Sequence, residues 1–327
     1  MAALIIWNYF NIYCRQMQCM KFLRYREKAV DIPRQMKYNN NIWSEIDLRR
    51  VSNNMKYLQN LHTHSTYCDG RDTLEEMVQQ AIALNFDSIG FSGHSFMHWA
   101  PTRSMSLAGT EQYKKEIGVL KDKYKDQITI YRGLELDIYS EVELTGYDYV
   151  IGGAHYFHIN GEYVGFDRSR DEVGLVIRKH FGGDGIKYAK AYYGLLARLA
   201  DFSKVDIVGH FDLITKWAEK ENFFDQDDPR YRSIVMETLE TLAKKIHLFE
   251  INTGAVSRGY RTTPYMTTYI LKALKELGAG ITISSDCHDR RYLTQSFDDA
   301  LEMLRTCGYK EVYHLTPKGF APMALTD

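Results

Sequence analysis

Short apolar runs of strand type alternate with stretches of helical periodicity along most of this chain. The strand-type runs, many rich in Val and Ile, fall at Tyr57–Leu61, Ser88–Phe91, Ile128–Leu134, Tyr149–Gly152, Val205–Val208, Leu248–Ile251 and Ile281–Ile283. Between most of them, apolar positions recur with helical spacing, which predicts helices over Thr73–Leu84, Glu111–Tyr124, Tyr188–Phe202, Arg230–Lys244, Tyr265–Leu277 and Ser296–Thr306. Asp72-Thr73 suits a helix cap and Gly278 a helix stop. This order predicts an α/β protein with a parallel sheet covered by helices, and seven strand runs favour a barrel over an open sheet.

Two segments break the rhythm. Residues 156–187 contain Asp167-Arg168-Ser169-Arg170-Asp171 and Gly182-Gly183-Asp184-Gly185 with little periodicity, and read as a long loop-like insertion. The glycines lack the Lys-Ser/Thr ending of a phosphate-binding P-loop. Residues 1–54 hold nine Lys/Arg against four Asp/Glu and no clean period. They are expected to form a peripheral or poorly ordered extension to a main domain at 55–327, with Met55-Lys56-Tyr57 reading as a natural start. The competing expectation is an accessory helix around Ile12–Lys28.

Composition narrows the function. Apolar residues make up 45% and charged residues 25% of 327 positions, the balance of an ordinary globular protein. A net charge of -1 leaves no electrostatic footprint for nucleic acid. Residues 2–13 are apolar but interrupted by Asn8 and Asn11, and fall short of the ~20 residues a membrane span requires. Five irregularly spaced cysteines argue against a disulfide framework and fit a reducing, cytoplasmic setting.

Candidate chemistry gathers at the strand ends. His62 and His64 are two apart and share a face of an extended strand, with Asp69 after a short turn. His94 follows the second strand, Glu135 closes the third, His155 the fourth and His210 the fifth, and Asp286 and His288 follow the seventh. In a barrel those ends form one rim, where active sites are built. Singly, each residue is explained by hydrogen bonding or an Asx turn. Together, six of the eleven histidines and three carboxylates at positions where packing selects Val and Ile predict metal ligands. Nine ligands exceed the needs of one tetrahedral ion, so two or three divalent ions are expected, with Glu135 a natural bridge and zinc, iron or manganese suited to the donors.

His62-x-His64, Asp69, His94, Glu135, His155, His210 and Asp286-x-His288 resemble the PHP (polymerase and histidinol phosphatase) superfamily of metallo-phosphoesterases over about residues 55–316. The resemblance implies a distorted (βα)7 TIM-like barrel with a trinuclear metal site; only the 1–54 extension departs from the pattern. The chain's length, Val164-Gly165-Phe166-Asp167, and Glu250-Ile251-Asn252-Thr253-Gly254 followed by Arg258 look most like the histidinol-phosphatase branch. That implies a phosphomonoesterase acting on L-histidinol phosphate in histidine biosynthesis.

Such a reaction is expected to proceed by in-line attack of a metal-bridging hydroxide. Arg258 is the candidate phosphate clamp, because its fork matches two oxygens at once. His98 or His158 is the expected proton donor to the leaving group. Asp167 and Asp171 read as solvated loop acids, with recognition of a substrate ammonium as the other reading. Cys68 and Cys287 are expected to point away from the metals. The alternatives are a phosphoesterase for a nucleotide or another small monoester, and a metal-bound replication-associated module without strong catalysis. The module reading predicts a basic face and missing ligands, neither of which is evident.

Overall fold

The computed structural model describes residues 57–325. The expected extension at 1–54 and the alternative helix at 12–28 lie outside the described residues.

Seven parallel strands form one sheet: β1 (Gln59–Asn60), β2 (Ser88–Phe91), β3 (Thr129–Asp137), β4 (Tyr149–Gly153), β7 (Ile207–Val208), β8 (Leu248–Asn252) and β9 (Gly280–Ser284). All pair in parallel, in that order. Beyond the strand ends, a parallel bridge joins Thr63 to Cys287, with His64 N donating to Cys287 O at 2.8 Å and Cys287 N to His62 O at 3.0 Å. The sheet is therefore drawn into a ring at its C-terminal end. The helices α1 (Leu74–Ala83), α2 (Leu107–Tyr124), α5 (Pro229–Ala243), α7 (Thr268–Glu276) and α8 (Phe297–Thr306) match the periodic stretches. A capping box of Thr73 and Glu76 starts α1. Leu74, Met77, Val78 and Ala81 line its buried face.

The insertion is more ordered than a loop. Its first part is an antiparallel hairpin of β5 (Tyr156–Ile159) and β6 (Glu162–Gly165). The turn is Asn160-Gly161, with φ of 52° and 83°, a two-residue connection whose twist suits a tight hairpin. Ser169 and Glu172 then form a capping box for α3 (Arg170–Phe181), which stops at left-handed Gly182. Asp184 caps α4 (Gly185–Leu196). The helix predicted from Tyr265 begins only at Thr268, because Tyr265 pairs with the end of β8 through Asn252 N to Tyr265 O, 3.0 Å, and Tyr265 N to Asn252 O, 2.9 Å.

Hairpin β10–β11 (Glu311–Thr316 and Gly319–Ala324), which no apolar run announced, packs at the start of β1. The Gln59 amide donates to Leu315 O at 2.8 Å and accepts from Leu315 N at 2.7 Å. Leu315 joins Leu61, Tyr131, Tyr149, Ile151, Ile207 and Leu248 in one apolar cluster. Apolar side chains thus fill this end, and the polar groups collect at the other. Among the described residues, no helix is long and apolar enough to cross a membrane.

Tyr149 sets the tightest packing. Its hydroxyl donates to Leu61 O, and its ring occupies the space beside Gly90 and Gly133 that a Cβ on either would need. Gly133→Ala is expected to cost about 1–3 kcal/mol by overpacking. Thermal unfolding should show a Tm lowered by several degrees; an unchanged Tm would refute this packing.

Candidate metal centre

Strand ends deliver all nine predicted ligands to one place. They sort into four groups whose donor atoms lie within 4.8 Å of one another: His64, Asp69, His94 and His288; His62, Glu135 and His210; His62, His64 and Asp286; and His94, Glu135 and His155. Glu135, 1% exposed, stands at the middle. Its Oε2 is 2.7 Å from His94 Nδ1, 3.4 Å from His62 Nε2 and 3.5 Å from His64 Nε2. Its Oε1 is 2.9 Å from His210 Nε2 and 3.3 Å from His155 Nε2. At the rim, Asp286 Oδ1 lies 3.2 Å from His64 Nε2, and Asp69 Oδ1 lies 3.2 Å from His288 Nε2. His210 and Asp286 sit at φ of 22° and 48°, a backbone region that non-glycine residues avoid and that tends to mark functional sites.

The donor set fits divalent cations. His62 Nε2, His64 Nε2, His94 Nε2 and Asp69 Oδ1 are buried without a hydrogen-bond partner. Buried polar atoms are normally paired, and a cluster of unpaired ones at a common centre is what an ion would satisfy. Imidazole mixed with carboxylate suits zinc, iron or manganese.

Electrostatics point the same way. Burial, helped by neighbouring His288 and His94, pushes His64 down to about 3, so its ring is neutral and ready to ligate. Burial opposes the charged form of Glu135 and Asp286. It is outweighed by the histidines around Glu135 and by Arg258 and His62 beside Asp286, which hold both well below the carboxylate range. Burial also disfavours charge on His62 and His155. Glu250 and Glu135 nevertheless raise His62, and Glu135 and Asp137 raise His155. A cation entering the centre competes with those protons.

A second layer holds the ligands. Glu250 Oε1 lies 2.7 Å from His62 Nδ1, and Asp137 Oδ2 3.2 Å from His155 Nδ1. Neither had been singled out as a site residue, although a charged residue inside the apolar run Leu248–Ile251 was the available signal. Cys68 belongs to none of the donor groups, as expected, but it packs behind one of the predicted ligands. The chain turns back after Ser65, with Cys68 N and Gly70 N both donating to Ser65 O, and this sets Cys68 Sγ 3.4 Å from His64 Nδ1. Cys287 does turn aside, its thiol donating to Asp289 O at 2.9 Å.

Above the ligands is a cavity of about 190 Å³, whose other walls include Arg103, Asp167, Lys216, Arg258, Tyr260 and Tyr265. Arg258 Nη1 donates to Asp286 O and Nη2 to Asp286 Oδ2, each at 2.8 Å. Asp167 is a correction to the sequence reading: it is buried, not solvated. Arg103 donates to its two oxygens at 3.2 and 3.4 Å, and the Lys216 ammonium donates to its carbonyl. Asp171 is exposed in the first turn of α3. His98 is a second correction, because it is exposed, packs edge-on against Trp99 at 4.8 Å, and lies outside the cavity lining. His158 is likewise exposed, stacked on Tyr163 at 4.6 Å.

Comparison with known proteins follows this geometry. A model of the PHP domain family matches residues 60–254, which hold seven of the nine predicted ligands. The chain belongs to the PHP domain family. This PHP protein is 28% identical over 276 residues to the "Probable histidinol-phosphatase" of Schizosaccharomyces pombe, covering 76% of this chain and 86% of the relative. It is 24% identical over 262 residues to the histidinol-phosphatase of Bacillus subtilis, covering 74% and 97%. Its PHP fold matches, with a TM-score of 0.62 and 22% identity, the crystal structure of a histidinol phosphate phosphatase from Lactococcus lactis complexed with zinc, L-histidinol and phosphate, covering 80% of this chain and 98% of that one.

Burial works to raise the Asp167 carboxyl, but Arg103 and Lys216 outweigh it and hold the group well below its ordinary value. Its contribution to stability is therefore present above the unfolded carboxylate pKa of about 3.9 and fades as pH falls through and below it. Asp167→Asn should cost about 1–3 kcal/mol at neutral pH, less than a fully buried pair because Arg103 is partly exposed. The Tm gap to wild type should narrow below about pH 4; a gap independent of pH would contradict the pairing.

Proposed function

We propose that the chain is a metal-dependent phosphomonoesterase that hydrolyses L-histidinol phosphate to L-histidinol and phosphate, a reaction of histidine biosynthesis. The observation that carries the reading is the charge of the cavity. Beyond the ligands, the lining carries three cationic side chains, Arg103, Lys216 and Arg258, and one carboxylate, Asp167, beside the donor groups that could hold cations. A compact dianion is the complement of that wall. A volume of about 190 Å³ suits a small monoester better than a nucleotide, since pockets for larger ligands run roughly 300–1,000 Å³. The histidinol-phosphatase relatives support the specific substrate.

In this reading the nine residues would hold two or three divalent ions of zinc, iron or manganese. Glu135, which belongs to two of the donor groups, would be the residue they share. Bound ions of this kind supply positive charge to phosphoryl oxygens and make water a stronger nucleophile. The protein's own part is positioning and charge. Arg258, held by Asp286, presents a guanidinium edge as the phosphate clamp. Arg103 is fixed by Asp167 and Asp69, at 3.4 Å from Asp69 Oδ2, and keeps its charge at the opposite wall. Lys216 takes the proton-donor role expected of His98 or His158. It lines the cavity, and burial pulls its ammonium below the ordinary lysine value despite the opposing pull of Asp167. Three unpaired cysteines among the described residues, Cys68, Cys287 and Cys307, fit a cytoplasmic setting. A net charge of -1 goes with a small-molecule substrate and no nucleic-acid partner.

A phosphate-release panel tests the proposal. L-Histidinol phosphate should exceed nucleoside monophosphates and other small monoesters in kcat/KM; a preference below a few-fold would remove the substrate assignment. Arg258→Ala should lower kcat/KM on the order of 10²-fold or more, and an unchanged value would remove the clamp.

A further inference from the structure

Glu250 lies within β8, fully buried, under the floor of the metal centre. Its four polar contacts divide between two oxygens. Oε1 faces His62 Nδ1 at 2.7 Å and receives the Ser284 hydroxyl. Oε2 accepts from the His210 backbone N at 2.9 Å and from Asn252 Nδ2 at 2.9 Å. One carboxylate thus holds two ligands, His62 beyond β1 and His210 beyond β7, from strands that are not neighbours in the sheet. Those two and Glu135 make up one donor group.

The geometry points to Glu250 as the positioning residue of that group, setting His62 with its proton on Nδ1 and its Nε2 lone pair toward the centre, and fixing His210 through its main chain. His62 Nε2 is buried with no hydrogen-bond partner, as this assignment requires. Accepting a ring N–H from a metal-bound histidine fixes the tautomer and makes the other nitrogen a better ligand. Glutamine cannot take over. With its oxygen toward His62 Nδ1, its NH₂ meets two donors, the His210 N–H and the Asn252 amide; reversed, the NH₂ meets the His62 N–H. The inference rests on the metal reading of the nine donors but not on the identity of the substrate.

Metal-stripped full-length wild type and E250Q are titrated with Zn²⁺ alone against a competing chelator. One class of site should weaken by about 10–100-fold in E250Q, while the remaining sites stay within a few-fold of wild type. Equal affinities at every site would overturn the role of Glu250. A wild type that binds no Zn²⁺ would instead overturn the metal reading beneath it. Turnover is not part of the readout, so a wrong substrate leaves the result intact. If E250Q does not fold, zinc-loaded wild type labelled with ¹⁵N in its histidines decides the matter. The His62 ring should carry its proton on Nδ1 and zinc on Nε2; the reverse arrangement would overturn the inference.

Discussion

A carboxylate sealed from water among five imidazoles is the constraint on which the structure turns. Glu135 could not stay ionised there in isolation, because burial alone favours its neutral form. Proton-bearing histidines can balance it, and divalent ions can do so with the same donors. The unpaired ring nitrogens and oxygens around it favour the ions. Each ligand must also arrive from a separate strand with its lone pair inward, which a flexible loop could not arrange at this density. The ring of parallel strands is what brings six histidines and three acids within reach of one another.

The rest of the molecule serves that rim. The opposite end of the ring is filled with apolar side chains, Leu315 from the last hairpin among them, and Tyr149 packs where Gly90 and Gly133 leave room. Two of the positive-φ residues, His210 and Asp286, stand at the functional end, while Glu250 and Asp137 contact ligand rings from below. The cavity continues the pattern, with Asp167 locking Arg103 in place above the donors.

Much of this was legible along the chain. The strand runs gave the barrel order because parallel strands buried on both faces read as continuous apolar segments. The clustering of the nine candidate donors was legible because charged and imidazole side chains at strand ends have no packing explanation. What escaped was local or depended on packing. The Asn160-Gly161 turn and the Ser169–Glu172 capping box carried ordinary signals, yet they sat in a segment whose glycines and charges masked its period. Glu250 lay in plain view inside an apolar run, but its partners, His62 and His210, are 188 and 40 positions away. His98 is close in sequence to His94, but that closeness says nothing about direction once the chain leaves the strand. Asp167 looked like a solvated acid because only the fold brings Arg103 and Lys216 to it.

Anomalous diffraction from crystals of the purified protein, collected at the absorption edges of zinc, iron and manganese, tests the central claim most directly. Two or three peaks should lie among the nine side chains, each roughly 2.0–2.2 Å from the nitrogen and oxygen atoms of its group, with at least one contacting Glu135. Crystals grown with these ions present that show no peak there, or peaks only on the outer surface, would contradict it.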